Sequence, residues 1–148
     1  MKVMLFSLLI VFSVNSIDKC NHGDHEDHDG DNYSNLGDKI DLPINESVMI
    51  KSENLKISFE SMNDSRCPTG VNCIQAGKAK VTLKLSKDDK VETLELEAKG
   101  LCESDDGSCG SEGKSSGYLV KLINVYPYPA EPKNADDKPA FVRLIISK

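Results

Sequence analysis

Three segments of this chain alternate apolar and polar residues with a period of two, and nothing else in it constrains the fold as strongly. In "NLKISFES", Leu55, Ile57 and Phe59 alternate with Lys56, Ser58 and Glu60. In "KVTLKLS", Val81, Leu83 and Leu85 alternate with Lys80, Thr82 and Lys84, and "TLELEAK" repeats the pattern with Leu94, Leu96 and Ala98. Successive side chains of a strand point to opposite faces, so each segment reads as a strand with one face in a core and the other in water. Asp88 and Asp89 fall between the second and third segments and read as a hairpin turn.

"YLVKLINVYPYP" and "AFVRLIIS" are apolar on both faces for part of their length, as strands central in a sheet are. Residues 48–50 and 40–44 add shorter edge pieces. No window carries an amphipathic helical period, and β-branched residues crowd the strands. The expected fold is all-β: a single antiparallel β-sandwich of about seven strands, Ig-like, with disulfide-stapled loops. Two Gly-rich insertions interrupt the strands, "NDSRCPTGVNCIQAG" and "GLCESDDGSCGSEGKSSG". Each reads as an exposed loop stapled at its base. A third connection, "PYPAEPKNADDKP", is Pro-rich and therefore stiff.

The residues in front of the strands have a different character. "MKVMLFSLLIVFSVNS" has one basic residue, an apolar run over residues 3–14, and small or polar residues after it. This is the pattern of a secretory signal, too short and wrongly flanked for a membrane span, with cleavage expected after Ser16. A lipoprotein signal acylated at Cys20 is the rival, but Ile17, Asp18 and Lys19 stand where small neutral residues are wanted. Residues 17–37 lack an apolar period and are rich in Gly, Asp, His and Asn, so they read as a disordered leader. The β-sandwich domain is expected over residues 38–148.

Secretion would place the five cysteines where disulfides persist. Cys67 and Cys73, and Cys102 and Cys109, form two short intervals. Pairing within each is the simplest connectivity, and spacing alone leaves both crossed pairings open. Structural zinc on these four is disfavoured, because ligand pairs in zinc ribbons sit closer together. Cys20 is left over, to be free, metal-bound, lipidated or the link of a dimer. Sequons at Asn32, Asn45 and Asn63 are candidate glycan sites if the source is eukaryotic.

Charge and histidine content narrow the function classes. The net charge is −6, and no basic stripe is visible, which argues against nucleic acid as a partner. Cationic partners fit better: divalent metal ions, or basic patches on an extracellular protein or ligand. The expected domain contains no histidine, which removes Ser-His-Asp and Cys-His nucleophilic arrangements unless the leader folds back over it. Glu92, Glu95 and Glu97 read as solvent faces of strands, and "SCGSEGKS" lacks the first glycine and the context of a phosphate-binding loop. The chain is therefore read as a non-enzyme.

All three histidines lie in "CNHGDHEDHDGD". His22, His25 and His28 recur every third residue, with Asp24, Asp27 and Asp29 among them and Cys20 in front. Imidazole with carboxylate and a thiolate suits zinc or copper, and these seven residues are the candidate metal ligands. In an extended chain the histidines would lie about 9 Å apart on one side, so a single ion requires the chain to curl, at a cost in affinity. Calcium fits less well. The EF-hand pattern fails here, since aligning Gly30 with the turn puts His25 first and Leu36 twelfth, where acidic ligands belong. Glu103, Asp105, Asp106 and Glu112 are a second, all-oxygen cation candidate, set against the simpler reading of a solvated hairpin tip.

The segment "DSRCPTGVNCIQAGKAKVTL" resembles a stretch of small secreted or lipoprotein-like bacterial β-domains of uncharacterised function. A strand ends in Asp-Ser-Arg-Cys-Pro, a short loop returns to a second Cys, and an Ala-Gly pair opens the next strand. "YPYP" before a terminal strand fits the same pattern, whereas Gln75 replaces an aromatic residue and the Cys102–Cys109 insertion is extra. The resemblance implies a β-rich extracytoplasmic domain with Cys67 paired to Cys73, and no activity. The leading expectation is a secreted, non-enzymatic binding module that works through its loops, with a metal-holding N-terminal tract. Two others compete. One is a protease inhibitor presenting Arg66-Cys67-Pro68 as bait on a preorganised loop; the other is an acidic calcium-associated matrix protein. Asp64, Ser65 and Arg66 can equally serve structure, by holding a turn and bridging a carboxylate on a neighbouring strand.

Overall fold

The computed structural model describes residues 32–130 and 139–148. Among the described residues nine strands form: β1 (Asn32–Ser34), β2 (Lys39–Pro43), β3 (Ser47–Ile50), β4 (Leu55–Asp64), β5 (Lys78–Lys87), β6 (Lys90–Lys99), β7 (Glu112–Ser115), β8 (Tyr118–Tyr126) and β9 (Phe141–Ser147). They make a five-stranded sheet in the order β1-β3-β4-β5-β6 and a four-stranded sheet in the order β2-β9-β8-β7. The sheets face each other as a sandwich. Leu55, Ile57, Phe59, Val81, Leu83 and Leu85 from the first meet Leu42, Val120, Leu122, Val142 and Leu144 from the second in one core. The alternating residues read as inward are inward, except that Leu94, toward the start of β6, is only partly covered.

The count is nine strands rather than seven, and the two additional ones explain themselves. Strand β7, "EGKS", lies inside what reads as a loop, because it has no large apolar residue to betray it. Its inward position is Gly113, where a Cβ would come within 2.8 Å of Leu94 Cδ1. Strand β1 is three residues long and pairs in parallel with β3, so the sandwich is not wholly antiparallel. Both β1 and Leu36, which packs against the core, fall in the stretch expected to be leader, so the domain starts before residue 38. A three-residue strand is too short to show a period.

Two bulges break the alternation of the long strands. One, at Glu60, interrupts β4 between Phe59 and Ser61. The other lies in β8, where Leu122 and Val125 both face the core and the two residues between them, Ile123 and Asn124, face away from it. A bulge places two residues of one strand opposite one of its partner.

One flank of the sandwich is stitched. Lys99 N donates to Cys109 O at 2.9 Å, Ser111 N to Glu97 O at 2.8 Å, and Leu122 N to Ser111 O at 2.9 Å. Residues 109–111 thus bond to β6 of one sheet and to β8 of the other. At the end where the tight turns lie, buried Tyr118 donates its hydroxyl to Glu53 at 2.6 Å and accepts from Lys87, and Lys148 closes on Glu53 at 2.8 Å. The largest causes lowering the Glu53 pKa are its bonds to Lys148 and Tyr118.

Candidate functional site at the loop end

The opposite end gathers the long connections β4–β5, β6–β7 and β8–β9. The first begins as a continuation of its hairpin: Ser65 N donates to Lys78 O and Cys67 N to Ala76 O, both at 2.9 Å. Gly77 has a positive φ of 67°, and a Cβ there would fall 1.8 Å from Ser65 O, so only glycine allows this approach. The Cys67–Cys73 disulfide then closes the loop.

Arg66 fastens this loop to the rest of the end. Its side chain is 0% exposed. Nε and Nη2 donate to the two Asp64 oxygens at 2.9 and 2.6 Å, Nη1 to Val125 O at 2.8 Å, and Nη2 also to Pro127 O at 3.1 Å. The guanidinium lies 4.6 Å from the centre of the Tyr128 ring. Tyr128 in turn accepts from Leu101 N, Thr69 N donates to Pro129 O, and Gly100 N to Gly77 O. The described parts of the three connections are therefore bonded into one body.

The structural reading of Asp64, Ser65 and Arg66 holds, with one change: the carboxylate partner is Asp64, two residues earlier, and not a residue across the sheet. The same geometry corrects the bait reading. A bait arginine must enter a protease pocket, and the Arg66 side chain is buried and makes four hydrogen bonds within the chain.

Pro68 to Gln75 carry no charge, in a chain of which 28% is charged. Ile74 is fully exposed, Leu101 is 69% exposed and Val71 45%. These are apolar side chains held outward on a rigid base, and they are the residues that sequence reasoning missed. The signal that could have found them was the uncharged run between two cysteines.

The Cys102–Cys109 connection, paired as the simplest reading expects, behaves differently. It lies as a strap over the outer face of the four-stranded sheet. Asn124 Nδ2 donates to Cys102 O at 3.0 Å, and a Cβ on Gly107 would stand 2.6 Å from Lys121 Cε and 3.1 Å from Ile123 Cδ1. Both outward bulge residues, Ile123 and Asn124, are consequently only 1% exposed. Asp105 accepts from the Tyr126 hydroxyl and from Arg143 Nη1 at 2.6 Å, and its main-chain oxygen accepts from Lys39 at 3.2 Å.

The Tyr126 bond, assisted by Arg143, holds Asp105 below the usual carboxylate range. Burial, with Asp105 beside it, pushes Tyr126 up to about 12. Arg143 is raised by its paired bonds to Asp41, both at 2.6 Å. The Ser108 hydroxyl and N–H bring Asp106 down to about 2.

Three carboxylates of the all-oxygen cation candidate have other partners. Asp105 is engaged by Tyr126 and Arg143, Asp106 bonds Ser108, and Glu112 stands on β7 opposite Lys121. Among the described residues no group of His, Cys, Asp and Glu is placed to hold a metal ion. Cys20, His22, Asp24, His25, Asp27, His28 and Asp29 lie outside the described residues, as does the expected cleavage point. Among the described residues no helix is long and apolar enough to cross a membrane. No family model, no curated protein and no solved structure matches this chain.

Proposed function

We propose that this protein is a secreted, non-enzymatic β-sandwich module that binds an extracellular protein or ligand through its loop end. The observation that carries the reading is the outward display of Ile74, Val71 and Leu101 on connections bonded into one body. Large apolar side chains held exposed on a fixed base suit a contact surface. A base fixed by a disulfide and a buried arginine removes much of the ordering cost of association. The partner this surface suits is neutral and apolar at its centre.

Secretion is supported by the apolar leader and by two disulfides, which persist in oxidising compartments. The residues from Cys20 to Asp29 would hold zinc or copper beside the domain, as an accessory to binding. Asn32, Asn45 and Asn63 are exposed and would accept glycans in a eukaryotic secretory route.

A photo-activatable residue at position 74, compared with one at exposed Thr93 on the five-stranded sheet, tests the main reading in the native extracellular fluid. A single cross-linked product from position 74 and none from 93 supports it. Equal labelling from both, or none from either, overturns it.

A further inference from the structure

The acidic strap covers a face that is built to receive it. Three strands contribute cations there: Lys39 on β2, Lys121 on β8 and Arg143 on β9. Lys39↔Ile145↔Lys121 and Asp41↔Arg143↔Asn124 are neighbouring rows of the same sheet. Between the cations lie apolar Ile123 and the amide of Asn124, and beside them the stacked rings of Tyr126 and Phe141, 5.1 Å apart. Asp41 pairs with Arg143 on this face, which still keeps more cations than anions, an apolar centre and an amide donor, the composition of a site for an acidic peptide. The strap meets it with a carboxylate on Arg143 and Tyr126, a main-chain carbonyl on Lys39, another on Asn124, and a glycine against Lys121 and Ile123.

We propose that the Cys102–Cys109 strap is an intramolecular acidic pseudo-ligand, and that its reductive opening frees this face for an acidic peptide. In the opening step a dithiol reductant delivers two electrons and two protons. The Cys102–Cys109 bond breaks, two thiols form, and the reductant leaves as its own disulfide. Cys109 is fully buried and Cys102 only partly, so the strap is entered from the Cys102 side. Asn124 and Lys39 stay on their strands, while the segment carrying Asp105 loses the closure that holds it over them. The device does not rest on the loop-end reading, whose Val71 and Ile74 lie on the β4–β5 connection and take no part in it.

The test uses the full mature chain and a synthetic peptide of residues 101–110, closed by its own disulfide and fluorescently labelled. Cys102→Ser/Cys109→Ser should bind this peptide roughly tenfold or more tightly than the wild type, as expected when a competing internal segment is released. Adding Arg143→Glu should abolish the gain, and amide exchange over residues 119–126 should rise in the opened variant. Reduction of the protein with a dithiol, followed by alkylation of the freed thiols and removal of the reductant before the peptide is added, should reproduce the gain in a Cys67→Ser/Cys73→Ser background. If the serine pair fails to fold, Asp105→Lys/Asp106→Lys, with the disulfide intact, should open the strap by repulsion and give the same gain. Unchanged protection of residues 119–126 together with no gain in peptide binding would overturn the proposal. Binding of heparin but not of the peptide would overturn its assignment to a peptide.

Discussion

Arg66 Nη1 donates to Val125 O, 59 residues along the chain and in the other sheet, while the same guanidinium holds the Asp64 carboxylate on its own strand. One side chain therefore joins the two layers at the end proposed to bind.

Truncating that side chain leaves two main-chain carbonyls without the guanidinium and the Asp64 carboxylate with only the Arg66 main-chain N–H. Arg66→Ala should cost about 3 kcal/mol, the scale for breaking a buried ion pair from one side. Arg66→Lys should recover only part of it, because an ammonium cannot present the forked donors. Chemical denaturation midpoints check this. If Asp64→Ala/Arg66→Met proves no more stable than Arg66→Ala alone, the loss does not come from the orphaned carboxylate.

Gly77 is a sharper case. Gly77→Ala must adopt a positive φ and drives a methyl group against Ser65 O, 1.8 Å from an ideal Cβ. A loss of about 3 kcal/mol is expected from strain of this kind. By comparison, Gly117→Ala meets no atom within 4 Å and should cost less, its own positive φ notwithstanding. Thermal melts of the two variants side by side decide the point.

Ile74→Asp should leave stability within about 0.5 kcal/mol of wild type, since the side chain touches solvent and little else. The same change should eliminate cross-linking through a probe at Val71. A variant that loses binding only by losing its fold would speak against the loop end as a surface.

Acid should weaken the fold in a defined range. Asp106 is held at about 2 by Ser108, and Glu53, Glu92, Glu97 and Asp105 are also held below their ordinary values. Each folded pKa lies below the unfolded one, so the stabilisation is complete above about pH 5 and is lost as the pH falls toward about 2. The melting temperature should be flat from neutral pH to about 5 and decline below it. Asp106→Asn should lower the neutral-pH melting temperature and flatten the acid decline; an unchanged acid slope would remove Asp106 from the account.

Much of the sandwich is legible in the chain because β4, β5 and β6 spell their inward faces in alternate residues. Strand β7 is not, since its inward position is a glycine filled by Leu94 and Leu96 from across the core. The strap could be seen as acidic but not as a cover. Its cations, Lys39, Lys121 and Arg143, come from three distant segments, and only the register of β2, β9 and β8 brings them together. Arg66 illustrates the same limit: a basic residue beside a disulfide looks like a displayed one until Val125 and Pro127 are folded against it. Ile74 stands exposed in the uncharged run about Cys73, whose composition hints at display without saying which side chain is displayed.

The stitching of residues 109–111 between β6 and β8 bears on how the protein behaves when crowded. An open strand margin is a template on which copies of a chain can polymerise. Here the C-terminal half of β6 is already occupied from within, by the main chain that leaves the strap. The remaining half presents Lys90 and Glu92 beside its margin, charges that an approaching copy would have to strip of water. A domain of this build resists strand-to-strand association along β6, and a break in that seam would first be felt as loss of solubility.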